Sequence, residues 1–350
     1  MSSDGNPKGP TGLPGELKLG VVIEESWAFF TEVYGELAAH HRTTLFRSRS
    51  SRLPVFRQRH DRYLAHQDLR RFLATNDVVL FEWAGERLVQ ASHLPSRAAL
   101  VTRLHRYELY RWADKIRWDA VDRVILVSEA KRREFCRRFP AQAGKVTVIP
   151  ESISLDRFRL VDRPFGGQIG ILCHLSPRKR VYEIILALRH LFNRRGTFHL
   201  HIGGGPHPTF PDYPQALESL VGRLGLESHV TFHGPVEDPS AWYRGIDIFL
   251  SNSYSEGLQV APMEAVASGC YCLSHVWEGA DELLPAEDLF IGDDDLVAKI
   301  LNYSDSPDER RRQSRMRQLD IVRTRFDMAR TKVRIREQVE AVADGRDRPG

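Results

Sequence analysis

Short, largely apolar stretches alternate with longer amphipathic ones along most of the chain. Leu19 to Ile23, Val78 to Phe81, Ala99 to Leu104, Val124 to Val127 and Val146 to Ile149 have the look of strands buried on both faces. Helical patterns, such as Phe29 to Ala39 and Ala130 to Phe139, lie between them. This alternation predicts βαβ units and a parallel sheet covered by helices. Over Pro150 to Gly167 the period is lost among two prolines, two glycines and scattered charge, which predicts a linker over residues 151–167. A second series follows, with strands expected at Ile169 to Leu172, Phe198 to Ile202, Val230 to Phe232, Ile246 to Leu250 and Cys270 to Leu273. Its helices are expected at Val181 to Leu191, Gln215 to Leu224 and Val260 to Ala267. Pro307 to Ala343 is charged and reads as one or two long helices. The expectation is an α/β protein of two Rossmann-like domains, 17–150 and 168–304, with helices over 305–343 packing back toward the first. Ligands of such sheets bind at the carboxyl ends of the strands, so the site is expected in a cleft between the domains.

Composition narrows the classes. A chain of 350 residues, 42% hydrophobic, is large enough for two cores. Its 50 basic and 46 acidic residues nearly balance, which weighs against a dedicated nucleic-acid binder. Cys136, Cys173, Cys270 and Cys272 show no zinc-site spacing and read as reduced thiols. Residues 1–16 are rich in Gly, Pro and Ser and read as a disordered leader without the apolar core of a signal peptide. No apolar run approaches the ~20 residues that span a bilayer, so any membrane contact is expected to be peripheral, and the reduced thiols suit a cytoplasmic protein. Between His41 and Phe72 stand nine arginines, no lysine and only two acids. Segment 42–71 reads either as a solvated helix and loop or as a patch for anionic lipid or a phosphate-bearing acceptor. The latter would set a peripheral contact at the inner face of the plasma membrane.

The chemistry concentrates in the second half. Ser253-Tyr254-Ser255-Glu256-Gly257-Leu258-Gln259-Val260-Ala261-Pro262-Met263-Glu264 follows an expected strand, turns at Gly257 and enters an apolar helix. Free backbone N–H groups and the positive dipole end at the start of a helix suit a diphosphate. Glu264 falls on an otherwise buried helix and needs polar partners there, such as ribose hydroxyls. Upstream, Cys173-His174-Leu175-Ser176-Pro177-Arg178-Lys179-Arg180 leaves the first strand of the second domain and brings cations toward the same strand ends. Asp293-Asp294-Asp295 opens a helical pattern and reads as its cap rather than as a metal site.

These segments resemble the retaining GT-B glycosyltransferases of family four, the glycosyl transferases of group 1. Glu256 and Glu264, separated by seven residues, fit that family's glutamate pair. The resemblance implies that Glu256 contacts the transferred sugar and Glu264 the ribose, and that the backbone of Gly257, Leu258, Gln259 and Val260 faces the diphosphate. Lys179 matches the family's phosphate lysine. His174 stands where an arginine is usual, and Arg178 or Arg180 is the candidate to compensate. His201 to Pro206 and Val230 to Val236 resemble its glycine-bearing strand ends. In the first half, His105 matches a histidine that points toward the donor sugar. A Gly-Gly loop is replaced by Glu24-Glu25-Ser26-Trp27, and Trp83, Arg103 and Tyr107 are the acceptor candidates.

The implied reaction moves a sugar from a nucleoside diphosphate, of UDP or GDP type, to a hydroxyl of a carbohydrate, lipid-linked or small-molecule acceptor, with retention. His105, Lys179 and Glu256 form the expected catalytic set, with no metal, no cofactor beyond the nucleotide-sugar co-substrate and no nucleic acid. A non-catalytic sugar-nucleotide or glycan binder of the same architecture, or a sugar-nucleotide epimerase, stays open as an alternative.

Overall fold

The computed structural model describes residues 16–27, 30–50 and 57–346. The leader expected over 1–16 lies outside them apart from Glu16. The described residues form two compact units, one of those within 16–125, 144–147 and 332–346, the other of 126–143 and 148–331.

The first six-stranded sheet has the order β2-β1-β3-β4-β5-β6. Its strands are β1 (Lys18–Ile23), β2 (Arg42–Leu45), β3 (Val78–Glu82), β4 (Ala99–Leu104), β5 (Arg123–Leu126) and β6 (Val146–Val148). Pairing of β1 with β2 and β3, and of β3 with β4, is parallel. Every residue of β3 and β4 is buried, because both are central and covered on both faces. β2 was not expected: it is a four-residue edge strand inside the Arg-rich segment, too short and too polar to show a period. The helices are α1 (Thr31–His40), α2 (Arg57–Thr75), α3 (Glu86–Ser92) and α4 (Arg106–Arg111), while α5 (Glu129–Arg138), which follows β5, belongs to the second unit. α2 buries Ala65, Leu69 and Leu73 at four-residue spacing and leaves Arg59, Arg62, Tyr63, Arg70 and Arg71 outside.

The second sheet has the order β12-β11-β10-β7-β8-β9. It comprises β7 (Gln168–Leu172), β8 (His199–Gly203), β9 (Val230–Gly234), β10 (Ile248–Ser251), β11 (Tyr271–His275) and the two-residue β12 (Leu289–Phe290). Its helices are α6 (Val181–Arg194), α7 (Tyr213–Leu224), α8 (Pro239–Tyr243), α9 (Val260–Ala267), α10 (Asp293–Asp305), α11 (Asp308–Arg325) and α12 (Met328–Arg346). One core, built from Ile169, Leu188, Leu200, Leu217 and Ile300, lies under α6, α7 and α10. A separate core joins Phe249, Met263, Cys272, Leu319 and Val322 beneath α9 and α11.

Residues 151–167 hold one short 3-10 turn, Leu155–Arg157, and are pinned to the second unit rather than hanging free. Ile153 bridges Asp327, Val161 N donates to Ser268 O at 3.2 Å, and Arg163 pairs with Asp247 at 2.8 Å. From Lys332 onward α12 belongs to the first unit. Arg336 there donates to Glu36 at 3.1 Å, and His41 faces Glu340 at 3.2 Å. Among the described residues no helix is long and apolar enough to cross a membrane.

Candidate functional site

In the second sheet β8 and β9 lie on one side of β7, and β10 to β12 on the other. The order therefore reverses between β7 and β10, and the crevice above their carboxyl ends is where a doubly wound sheet binds its ligand. The two segments singled out in the sequence are the loops that leave these two strands.

The loop after β7 is held by the glycines after β8. Cys173 N donates to Gly203 O at 3.1 Å and Leu175 N to Gly205 O at 2.9 Å. Gly204 has φ 122°, and a Cβ there would lie 1.7 Å from Cys173 O, so only glycine fits. A 3-10 turn, Pro177–Lys179, then sends Arg178 and Lys179 across to the loop after β10. That second loop is tied back: Asn252 Nδ2 donates to Arg180 O at 3.0 Å and Arg178 Nη1 to Ser255 O at 2.9 Å.

Glu256 is the focus of these contacts. One carboxylate oxygen, Oε1, takes Lys179 Nζ at 2.7 Å, Arg178 Nη1 at 2.5 Å and Gln259 Nε2 at 2.9 Å. Ser251 Oγ in turn donates to Gln259 Oε1 and fixes that side chain. Burial pushes the Glu256 carboxyl up, but Lys179 and then Arg178 outweigh it and hold the group at about 2. Lys179 and Glu256, expected on one ligand, thus meet directly, and Arg178 joins them. Gln259 was expected to contribute only backbone; its side chain proves to be a partner of Glu256.

α9 begins at Val260, with Gln259 at its N-cap making no side-chain capping bond. Among the described residues no side chain caps this end, so the amides of Val260 and Ala261 can serve another acceptor, and Pro262 has no N–H to satisfy. Gly257 and Leu258 are buried before the helix and Val260 is half-buried. Further along, Glu264 Oε2 accepts from Tyr243 Oη at 3.0 Å, while Oε1 has no hydrogen bond among the described residues. Burial raises the Glu264 carboxyl, and the Tyr243 hydroxyl and Arg157 partly offset it. His174 is exposed, its ring edge-on to His207 at 6.5 Å.

The first unit presents a second cluster at the ends of β3 and β4. His105 caps α4 and is buried. Its Nε2 lies 3.6 Å from Glu82 Oε1 and its Nδ1 3.4 Å from Glu108 Oε1. The ring stacks on Trp83 at 4.1 Å, and Trp83 holds the rare backbone angle φ 76°. Arg103, expected as an acceptor contact, is instead fully buried and donates to Glu82 at 3.1 Å. An inward-facing carboxylate on the same apolar sheet draws it in, because an unpaired buried charge is costly. Tyr107 is exposed on α4. Glu82 and Glu108 were missed, although a glutamate closing an apolar strand and another three residues after a histidine are visible signals.

Glu24 was noted only as a replacement for a glycine loop. Both its oxygens accept from Arg87 N at 3.0 Å, so a carboxylate already fills the first turn of α3. Burial brings it up to about 7.

Residues 166–305 match the model of the family described as glycosyl transferases group 1. A D-inositol 3-phosphate glycosyltransferase of Catenulispora acidiphila is 29% identical over 167 residues, 43% of this chain and 39% of that protein. Its counterpart from Streptomyces avermitilis is 28% identical over 43% of this chain and 36% of its own length. The aligned region thus spans well under half of these curated relatives. Anabaena HepE, solved with UDP and glucose, superposes with a TM-score of 0.75 at 17% identity over 93% of this chain and 100% of its own. Sucrose-phosphate synthase of Thermosynechococcus elongatus gives 0.75 at 15% identity over 94% and 100%. Residues 166–305 are thus similar to the group 1 glycosyltransferases, and the fold is the two-sheet GT-B architecture of these solved structures, as the sequence resemblance implied.

Proposed function

We propose that this chain is a retaining glycosyltransferase that moves a sugar from a nucleoside diphosphate to an acceptor hydroxyl, in polysaccharide, glycolipid or natural-product glycoside synthesis. The observation that carries the reading is the Lys179–Glu256–Arg178 cluster beside the uncapped start of α9, at the point where the strand order reverses. A diphosphate set there would draw Lys179, Arg178 and the amides of Val260 and Ala261. These stabilise the negative charge that grows on the leaving group as the glycosidic bond breaks. Glu256, released from its cations, would then take hydroxyls of the transferred sugar. Glu264, with one oxygen fixed by Tyr243 and the other open, suits a ribose. His105 is kept as a catalytic candidate on the family resemblance, and a phosphate oxygen of the leaving diphosphate would take the acceptor proton. The electrostatic work is assigned to protein cations and amides, with no metal step. HepE was solved with UDP and with UDP-glucose, which supports a UDP-type donor.

The test is product analysis with UDP- and GDP-sugars and a panel of hydroxyl acceptors, in EDTA. Transfer with an unchanged anomeric configuration supports the reading. Nucleotide binding without turnover would make the chain a binder, and donor conversion without acceptor an epimerase. A cytoplasmic location is part of the proposal, with the outer face of α2 as a peripheral contact for anionic lipid. Arg59→Ser with Arg62→Ser should release the chain from phosphatidylglycerol vesicles, and unchanged co-sedimentation would remove that contact.

A further inference from the structure

The short helix α4 leaves the carboxyl end of β4, the side of a parallel sheet on which ligands bind. Its outer face carries large aromatic surface in water, with Tyr107 42% and Tyr110 50% exposed. Each ring is paired with a cation. The Arg106 guanidinium carbon lies 5.0 Å from the Tyr110 ring centre, and that of Arg111 lies 5.4 Å from Tyr107 and 5.3 Å from Trp112. Lys115 Nζ lies 4.6 Å from the Trp112 ring. Tyr107 and Tyr110, three residues apart, are neighbours on one helical face, and each has its cation four residues away along the helix. Glu108, the helix's one acid, turns inward to His105, and the next acid along the surface, the exposed Asp114, follows in the 3-10 turn Ala113–Lys115. Among the described residues no carboxylate lies within ion-pair distance of Arg111 or Lys115.

Exposed aromatic faces offer a stacking surface to the C–H side of a sugar ring. A guanidinium stacked on a ring keeps its N–H edge free for phosphate or carboxylate oxygens. Because the rings hold the cations in place, little side-chain freedom is left to lose on binding. We propose that this face binds an acidic saccharide, one bearing phosphate or carboxylate groups, with its ring against Tyr107 and Tyr110 and its anion at Arg111 and Lys115. Calling it the acceptor rests on the transferase reading; the binding does not.

The full chain would be titrated with fluorescent trigalacturonate and phosphorylated maltotriose, with plain maltotriose as neutral control. At least one acidic saccharide should bind, about tenfold or more tighter than the neutral one. Tyr107→Ser with Arg111→Gln should lose about tenfold or more, and Lys115→Gln about threefold with a shallower salt dependence. Melting temperature and UDP affinity should not move, since all three side chains face solvent in the first unit. Equal affinity for charged and neutral sugars, or unchanged affinity in the variants, would overturn the proposal. So would variants that lose only binding to phosphatidylglycerol vesicles, which would make the face a membrane contact. Acidic-sugar binding that persists in a chain with no affinity for UDP or GDP would keep this site and remove the transferase reading.

Discussion

Glu256→Gln separates the electrostatics of the proposed donor site from its packing. Glutamine keeps the size and can still accept from Lys179, but the charge facing two cations is gone. In the wild type the carboxyl is brought from 4.5 to about 2. At 1.36 kcal/mol per pH unit the charged form is favoured by about 3 kcal/mol. Lys179 is 16% and Arg178 29% exposed, so part of this is screened and about 2 kcal/mol is the expected stability loss. For a unit of this size that lowers the melting temperature by roughly 4–8 °C. Nucleotide affinity should move the opposite way. A diphosphate entering the wild type must take Lys179 and Arg178 from Glu256, and in the variant they are free, so UDP should bind about 3- to 10-fold tighter. Turnover should fall by about a hundredfold or more, because the proposed contact to the sugar is lost. The pH dependence has a definite sign. A carboxyl held below its unfolded value stabilises above about pH 4.5 and loses that contribution as pH falls toward 2. The wild-type advantage should therefore be full at pH 7 and shrink below pH 4. Calorimetric titration with UDP and thermal melts from pH 7 to pH 3 measure both effects. A variant as stable as wild type at pH 7, or one whose UDP affinity drops tenfold, would refute the reasoning.

Three further outcomes are expected. Glu264→Ala should weaken nucleotide binding by about tenfold or more and cost about 1–2 kcal/mol of stability, because the buried Tyr243 hydroxyl loses its acceptor, and Tyr243→Phe should show a smaller loss of affinity with about 1 kcal/mol of stability, both read by titration and melting. Glu24→Gln should match wild type at pH 4 and exceed it by about 1–2 kcal/mol at pH 8, because a carboxyl raised to about 7 binds its proton more tightly when folded and loses stability as pH rises from 4.5 through 7. Gly204→Ala should destabilise by about 3 kcal/mol or more, since the new Cβ would meet Cys173 O, and urea melts would show it.

Much of the architecture was legible because β strands and helices impress their own periods on the chain. Central strands such as β3, β4 and β10 are short apolar runs since both faces are covered. Edge strands β2 and β12 escaped because they are brief and half-solvated. The candidate donor residues Lys179, Glu256 and Glu264 were legible from a local pattern of strand, glycine turn and helix. Their partners were not.

By itself the sequence determined two alternating α/β series, the segments that leave the strand ends and the residue types set on them, since periodicity and turn chemistry are properties of neighbours along the chain. Only the tertiary structure decided which charges meet. Lys179 reaches a carboxylate 77 residues away, Arg103 turns into the sheet toward Glu82, and His105 lies between two glutamates. Such pairings depend on strand order and burial, because a charge removed from water takes the partner that the topology places beside it.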